Sequence, residues 1–143
     1  MKNITVTALF LLLSTNAFAC YDDKSLSIED NFDNCLVEAE QGNAGCQYIL
    51  GVMYRKGEGV AQDFKETVKW YTKAAEQGDA KAQSTLGIMY DHGRGVVQDY
   101  KNAHMWFNIA AANGNSKAVE NREIIAKEMA PSQIKKAQDM ARE

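Results

Sequence analysis

Three cysteines, two histidines and one serine–lysine pair are the residues in this chain whose types and spacing could do chemistry. Cys20, Cys35 and Cys46 could bridge in an oxidising compartment, and their odd number leaves one thiol over. His92 and His104 could move protons or hold a metal. No cysteine or carboxylate cluster gives them the spacing of zinc ligands, so a solvated or packed role is expected for both. Ser132-Gln133-Ile134-Lys135 has the S-x-x-K spacing with which a lysine can assist a serine nucleophile. The S-D-N and K-T-G elements that accompany that chemistry are missing, as are G-x-S-x-G and a phosphate-binding loop. Ser132 also follows Pro131 at an expected helix start, where serine is ordinary. Glu120, Glu123, Glu128 and Asp139 are scattered over helix faces, as solvated surface, whereas an acid-pair hydrolase needs two carboxylates on one cleft. The expectation is therefore no catalytic residue, no metal and no cofactor.

The meaning of the cysteines depends on where the chain goes. Lys2 opens a leader, Ile4 to Leu13 is a mostly apolar run, and Ala17-Phe18-Ala19 is a small-residue cleavage pattern. Residues 1–19 thus read as a secretory signal peptide. Ten residues rise only about 15 Å as a helix, half the hydrocarbon thickness, so a membrane span is not expected. Export to the periplasm or beyond is the expectation. Cys20 would be the first mature residue, and lipidation there would tether the protein to a membrane. The large Phe18 favours ordinary cleavage after Ala19. Removing the leader takes away Lys2 and no acid, so a net charge of −3 becomes one unit more negative. An acidic chain without a basic cluster argues against nucleic acid or anionic lipid as partners.

Cys35 and Cys46 flank Gly42, the expected turn between two antiparallel helices, with Cys35 about two turns before it and Cys46 about one turn after. That placement makes them the expected disulfide, closing a small loop and contributing roughly 3 kcal/mol in the chain-entropy model. Two buried reduced thiols, or a Cys20–Cys35 bridge, are the alternatives.

The elements that must position these groups are written twice. Residues 40–75 and 76–111 align without a gap, with 18 of 36 positions identical. The shared residues include Gly42/Gly78, Gln47/Gln83, Leu50/Leu86, Gly51/Gly87, Tyr54/Tyr90, Gly57/Gly93, Gly59/Gly95, Asp63/Asp99 and Trp70/Trp106. A fixed period of this size signals stacked supersecondary units. Each unit reads as two helices. In the first, a helix A runs roughly Ala44 to Lys56 with Ile49, Leu50, Val52 and Met53 at helical spacing. Gly57 ends it, and Asp63 caps a helix B, with Glu66 completing a capping box. In the second, Asn102 replaces that Glu and the box is weaker. Gly51, Gly87 and the alanines 74, 75, 110 and 111 permit close helix approach, while Trp70, Tyr71, Trp106 and Phe107 fill the core. Asp63 shifted back one period lands on Ser27, so 27–40 reads as a lone helix B. Residues 115–143 read as C-terminal capping helices, with Arg122 and Glu123 where the second unit has Leu86 and Gly87, and a last helix starting at Pro131.

The stretch "AEQGDAKAQSTLGIMYDHGRGVVQDYKNAHMWFNIAA" resembles the Sel-one-like repeat (SLR) family, relatives of the tetratricopeptide repeats. Its hallmarks here are A-Q-x-x-L-G from Ala82 to Gly87, Y-x-x-G-x-G-V from Tyr90 to Val96, Gln98-Asp99, and Trp106-Phe107. The first copy has Cys46 where the second has Ala82, which agrees with a local disulfide. The resemblance implies an all-α fold: a short α-solenoid of antiparallel helix pairs in a single domain, 20–143, with terminal capping helices. Helix A elements would line a curved face, and such repeats usually serve as scaffolds or adaptors. The function expected is an exported interaction scaffold that binds a peptide, protein or envelope component in its concave groove. Tyr48, Arg55, Thr85 and Asp91 are its candidate contact residues. Some cysteine-rich relatives are associated with β-lactamase activity, which makes a hydrolase using Ser132 one alternative. A secreted effector is another.

Overall fold

The computed structural model describes residues 27–143; the leader and Cys20 lie outside the described residues. Seven helices follow one another: α1 (Ile28–Glu40), α2 (Ala44–Lys56), α3 (Phe64–Glu76), α4 (Ala80–His92), α5 (Tyr100–Ala112), α6 (Ser116–Ala126) and α7 (Pro131–Met140). Among the described residues there is no strand. Each helix packs on its neighbour in sequence from α1 to α6, and α7 folds back on α5. The chain is thus an α-solenoid of antiparallel helix pairs, opened by α1 and closed by α6 and α7.

Local signals explain the boundaries. Ser27 caps α1 in a reciprocal box, its hydroxyl accepting from the Asp30 amide at 3.0 Å while the Asp30 carboxylate receives the Ser27 amide. Asp63 Oδ1 accepts from the Lys65 and Glu66 amides at 2.8 and 3.1 Å, and Asp99 Oδ1 does the same for Lys101 and Asn102. The expected box at Glu66 is not completed: its carboxylate instead takes the Lys69 ammonium at 3.0 Å. At Asn102 the side chain turns back and donates to Asp99 Oδ2 at 2.8 Å. Helices α2 and α4 end at Gly57 and Gly93, both left-handed with φ 72° and 65°, a conformation that a Cβ would strain.

Two features hold the pairs in register. Gly51 and Gly87 are the points of closest approach. A Cβ on Gly51 would run into the Tyr71 ring, and one on Gly87 would lie 2.5 Å from Phe107 carbons, so each glycine receives the aromatic of the following helix. A buried glutamine then ties three helices together. Gln47 Nε2 donates to the Ala39 carbonyl at the end of α1 at 3.0 Å, and its Oε1 accepts from Gln77 at the end of α3 at 2.7 Å. One period later Gln83 donates to the Ala75 carbonyl at 2.9 Å and accepts from Asn113 Nδ2 at 2.9 Å.

Around these joints the core forms three successive clusters. Cys35, Ala39, Cys46, Leu50, Met53 and Trp70 make the first; Tyr71, Ala74, Ala82, Leu86 and Met89 the next; Phe107, Ala110, Ala118, Ile125 and Ala137 the last. Trp70, Tyr71 and Phe107 are buried as expected, while Trp106 is half-buried.

The Gly87–Phe107 contact makes a test. Gly87→Ala is expected to lower stability by about 1–3 kcal/mol through overpacking, and Phe107→Leu in the same chain is expected to recover part of that loss. Urea titration of the single and double variants measures the coupling; strictly additive losses would show that the two residues do not meet as described.

Candidate functional site

Positions i, i+4 and i+7 of each helix A share one helix face, which is open only in part: Ser84 is buried, and Tyr48 and Val52 pack against the middle core cluster. On α2 it holds Tyr48, Val52 and Arg55. One period later on α4 it holds Ser84, Ile88 and Asp91, and on α6 it reaches Glu120, Ile124 and Lys127, the last being that helix's cap. The central position is always a branched aliphatic. Val52 is half-buried, Ile88 is 38% exposed and Ile124 62% exposed. Ile88 and Ile124 were not among the residues expected to make contacts. Their signal was present in the sequence as the spacing Val52, Ile88, Ile124, which reads as core until burial is known.

Tyr48 and Arg55 are brought together. The Tyr48 ring leans on that of Tyr71 at 5.5 Å with planes 30° apart. Burial pushes the Tyr71 hydroxyl up to about 12, and the Arg55 guanidinium beside it opposes the rise. Burial, followed by the Asp79 carboxylate, also raises Tyr48. The result is a stacked phenol pair with a cation at its edge. Thr85 does not join it: its hydroxyl is turned to the Lys81 carbonyl at 2.8 Å within its own helix. Asp91 shares the α4 row, but its side chain faces His92 Nδ1 at 3.6 Å.

The other chemistry-bearing residues are accounted for separately. Cys35 and Cys46 are both fully buried in one cluster, on the two arms of the α1–α2 hairpin, and Cys46 Sγ lies 3.4 Å from Glu38 Oε2. His92 is the last residue of α4, exposed, with Nδ1 2.9 Å from the Ile88 carbonyl oxygen. His104 is 2% exposed within α5, and its Nδ1 has no protein partner among the described residues. Ser132 stands at the start of α7, exposed, and no hydrogen bond joins it to Lys135 or Lys136 among the described residues. Glu120, Glu123, Glu128 and Asp139 are exposed. Among the described residues no group of three metal-ligating side chains comes together, and no helix is long and apolar enough to cross a membrane.

Stacked antiparallel pairs, glycine-seated aromatics and a repeated, partly open row define a repeat protein of the tetratricopeptide-like class. The Sel1 repeat pattern matches residues 44–79 and 80–115, and the chain belongs to the Sel1 repeat family. Such repeats generally act as scaffolds for protein–protein interaction. Among solved structures, the chain is similar to c5321, a protective antigen of uropathogenic Escherichia coli strains with an SLR fold. Identity there is 32% and the TM-score 0.79, over 86% of this chain and 27% of that one. It is also similar to a Sel1 repeat protein from Oxalobacter formigenes, at 39% identity and TM-score 0.67, over 68% of this chain and 40% of that one. This chain therefore spans well under half the length of either. The fold is shared with Helicobacter pylori cysteine rich protein B at 23% identity and TM-score 0.69, covering 73% and 78% of the two chains. No curated protein matches it.

His104 gives a pH dependence whose sign is set by its surroundings. Burial, then the Arg122 charge on α6, holds its pKa below the ordinary value of 6.5. The unfolded chain takes up the proton more readily than the folded one, so acid favours unfolding. Stability is expected to be level above the ordinary histidine range and to fall as pH drops through about 6.5 and below. Urea midpoints followed from about pH 8 to pH 5 measure this. His104→Phe is expected to flatten the slope; an unchanged slope would assign it to other groups.

Proposed function

We propose that the protein is an exported interaction scaffold whose helix A row receives a peptide or protein segment. The observation that supports this reading most is the period-spaced row itself: branched aliphatics at 52, 88 and 124, with Tyr48 and Arg55 at one end and charged side chains between. A row of apolar positions rimmed by polar groups offers anchors at regular spacing. Affinity at such a surface comes from a few buried anchors rather than from total area. Tyr48, Arg55 and Asp91 flank the row; Thr85, tied to its own helix, is a lesser candidate.

The same reading puts the chain in the periplasm or outside the cell after cleavage behind Ala19, with Cys35 and Cys46 bridged. Supporting it are the leader-like residues 1–19 and the shared buried cluster of the two cysteines. Scaffold families of this kind are generally non-catalytic, and the solitary Ser132 fits that character.

The row is tested by a photo-crosslinker placed at 88 or 124, compared with one at Asp139 on α7, in cells with an intact envelope. Adducts are expected at the first two positions alone, and Ile88→Asp is expected to weaken the captured partner's binding about tenfold or more. Equal adducts at all three positions would remove the support for the row. Mass measurement of the mature protein checks the rest: a first residue Cys20 without acyl groups, and a non-reduced chain lighter than the reduced one by two hydrogens. An intact leader, or equal masses, would overturn the corresponding statement.

A further inference from the structure

The two full units treat the start of each helix B alike. Gly59, in the loop after α2, sits so close to α1 that a Cβ there would be 2.8 Å from the Ile28 carbonyl. Gly95, in the loop after α4, is seated in the same way on the Phe64 carbonyl at the start of α3. One period on, the surface awaiting such a loop is the start of α5 at Tyr100. The third unit has no such loop. The link from α6 to α7 is only residues 127–130, against 57–63 and 93–99 in the full units, and Pro131 occupies the register of Gly59 and Gly95. What remains is an open hollow of about 540 Å³ lined by Gln98, Asp99, Tyr100, Lys101, Ser132, Gln133 and Lys136.

Its lining holds more unused donors than unused acceptors, the main acceptor left open being Gln98 Oε1, whose Nε2 is spent on the Asp91 carbonyl and Tyr100. Neither Lys101 nor Lys136 forms an ion pair among the described residues. The one carboxylate, Asp99, has both oxygens committed: Oδ1 to the Lys101 and Asn102 amides, Oδ2 to Asn102 Nδ2. Tyr100 already accepts from Gln98 Nε2 at 3.3 Å, which leaves its own proton to give. Gln133 Oε1 is occupied by the Ala130 amide at 3.0 Å, which leaves its NH₂. The Ser132 hydroxyl makes no hydrogen bond with a described residue.

We infer that this hollow binds a small dianion, a phosphate monoester or a dicarboxylate. The two ammonium groups of the lining outnumber its one carboxylate, Asp99, whose oxygens are already taken up by hydrogen bonds. The Tyr100, Ser132 and Gln133 donors meet the dianion's oxygens, and the volume exceeds what a bare oxyanion needs. Lysine suits this task as a point charge that imposes no planar geometry on the ligand. The inference does not rest on the helix A row, since none of these residues belongs to it.

The test is a ¹H–¹⁵N NMR titration of the purified protein at low ionic strength with inorganic phosphate, glycerol phosphate and succinate. Saturable shifts are expected at amides 98–101 and 132–136, half-complete at about 1 mM or below for at least one probe. The phosphate and succinate arms decide which anion class is preferred. Lys101→Gln with Lys136→Gln is expected to abolish saturation. Lys135→Gln, which removes the same charge from the neighbouring position of α7, is expected to leave it. Shifts that stay linear for every probe, or equal loss in Lys135→Gln and Lys136→Gln, would overturn the proposal.

Discussion

A buried side-chain amide sets the register of this molecule. Gln47 and Gln83 are almost wholly shielded from water, so each must find its partners within the protein or forfeit about 1–3 kcal/mol. The partners are the last carbonyl region of the preceding helix B and the side-chain amide ending the next one. Both are satisfied only if three helices arrive at one depth. Apolar packing alone would tolerate sliding of one helix along another, because a stripe of alanines and leucines is nearly uniform. The directional amide removes that freedom, and the glycine seats for Tyr71 and Phe107 fix the spacing at the same level.

The third unit lacks that joint and packs differently. Val119 stands in the register of Gln47 and Gln83, and Arg122 stands where Leu86 is fully buried. Arg122 turns to Asn108 Oδ1 at 2.7 Å rather than into a core. With nothing further to hold in register, α6 serves as a cover, and the final helix falls back across α5 with Met129 and Ala137 sealing the last cluster. A terminal unit with a polar outer face is the general requirement for ending a stacked array in water. The shortened link before α7 and the His104–Arg122 opposition are both products of that ending.

Most of the architecture was legible because it was repeated. Gly57 and Gly93, Asp63 and Asp99, and Trp70 and Trp106 each appear at the same place in two copies, and local rules for caps and stops assign them roles without coordinates. What was not legible depends on surroundings that a single chain does not display. Glu66 has the spacing of a capping-box residue, but a lysine three positions on competes for its carboxylate. Val52, Ile88 and Ile124 look like core by type and spacing; only the absence of a covering helix makes the last two surface. Thr85 looks like an exposed contact, yet its hydroxyl is spent on its own helix. His104 carries no sequence sign of its burial beyond its place on a helix. Gln47 and Gln83 were visible as identities, while their role needed the distance across the hairpins.

The amide joints also bear on how such a chain could grow. Each reaches only to a carbonyl eight residues before it and an amide thirty residues after it, so every joint closes inside a window little longer than one period. A tandem copy of residues 40–75, inserted after Ala75 by unequal recombination, would find both ends of its joint in the adjoining copies, because each copy ends in the same alanine and carries the same glutamine just after its start. It would demand no compensating change upstream or downstream. Lengthening by whole periods is then an almost silent event for folding, whereas a deletion of a few residues in the same stretch would strand two polar groups in an apolar interior at once.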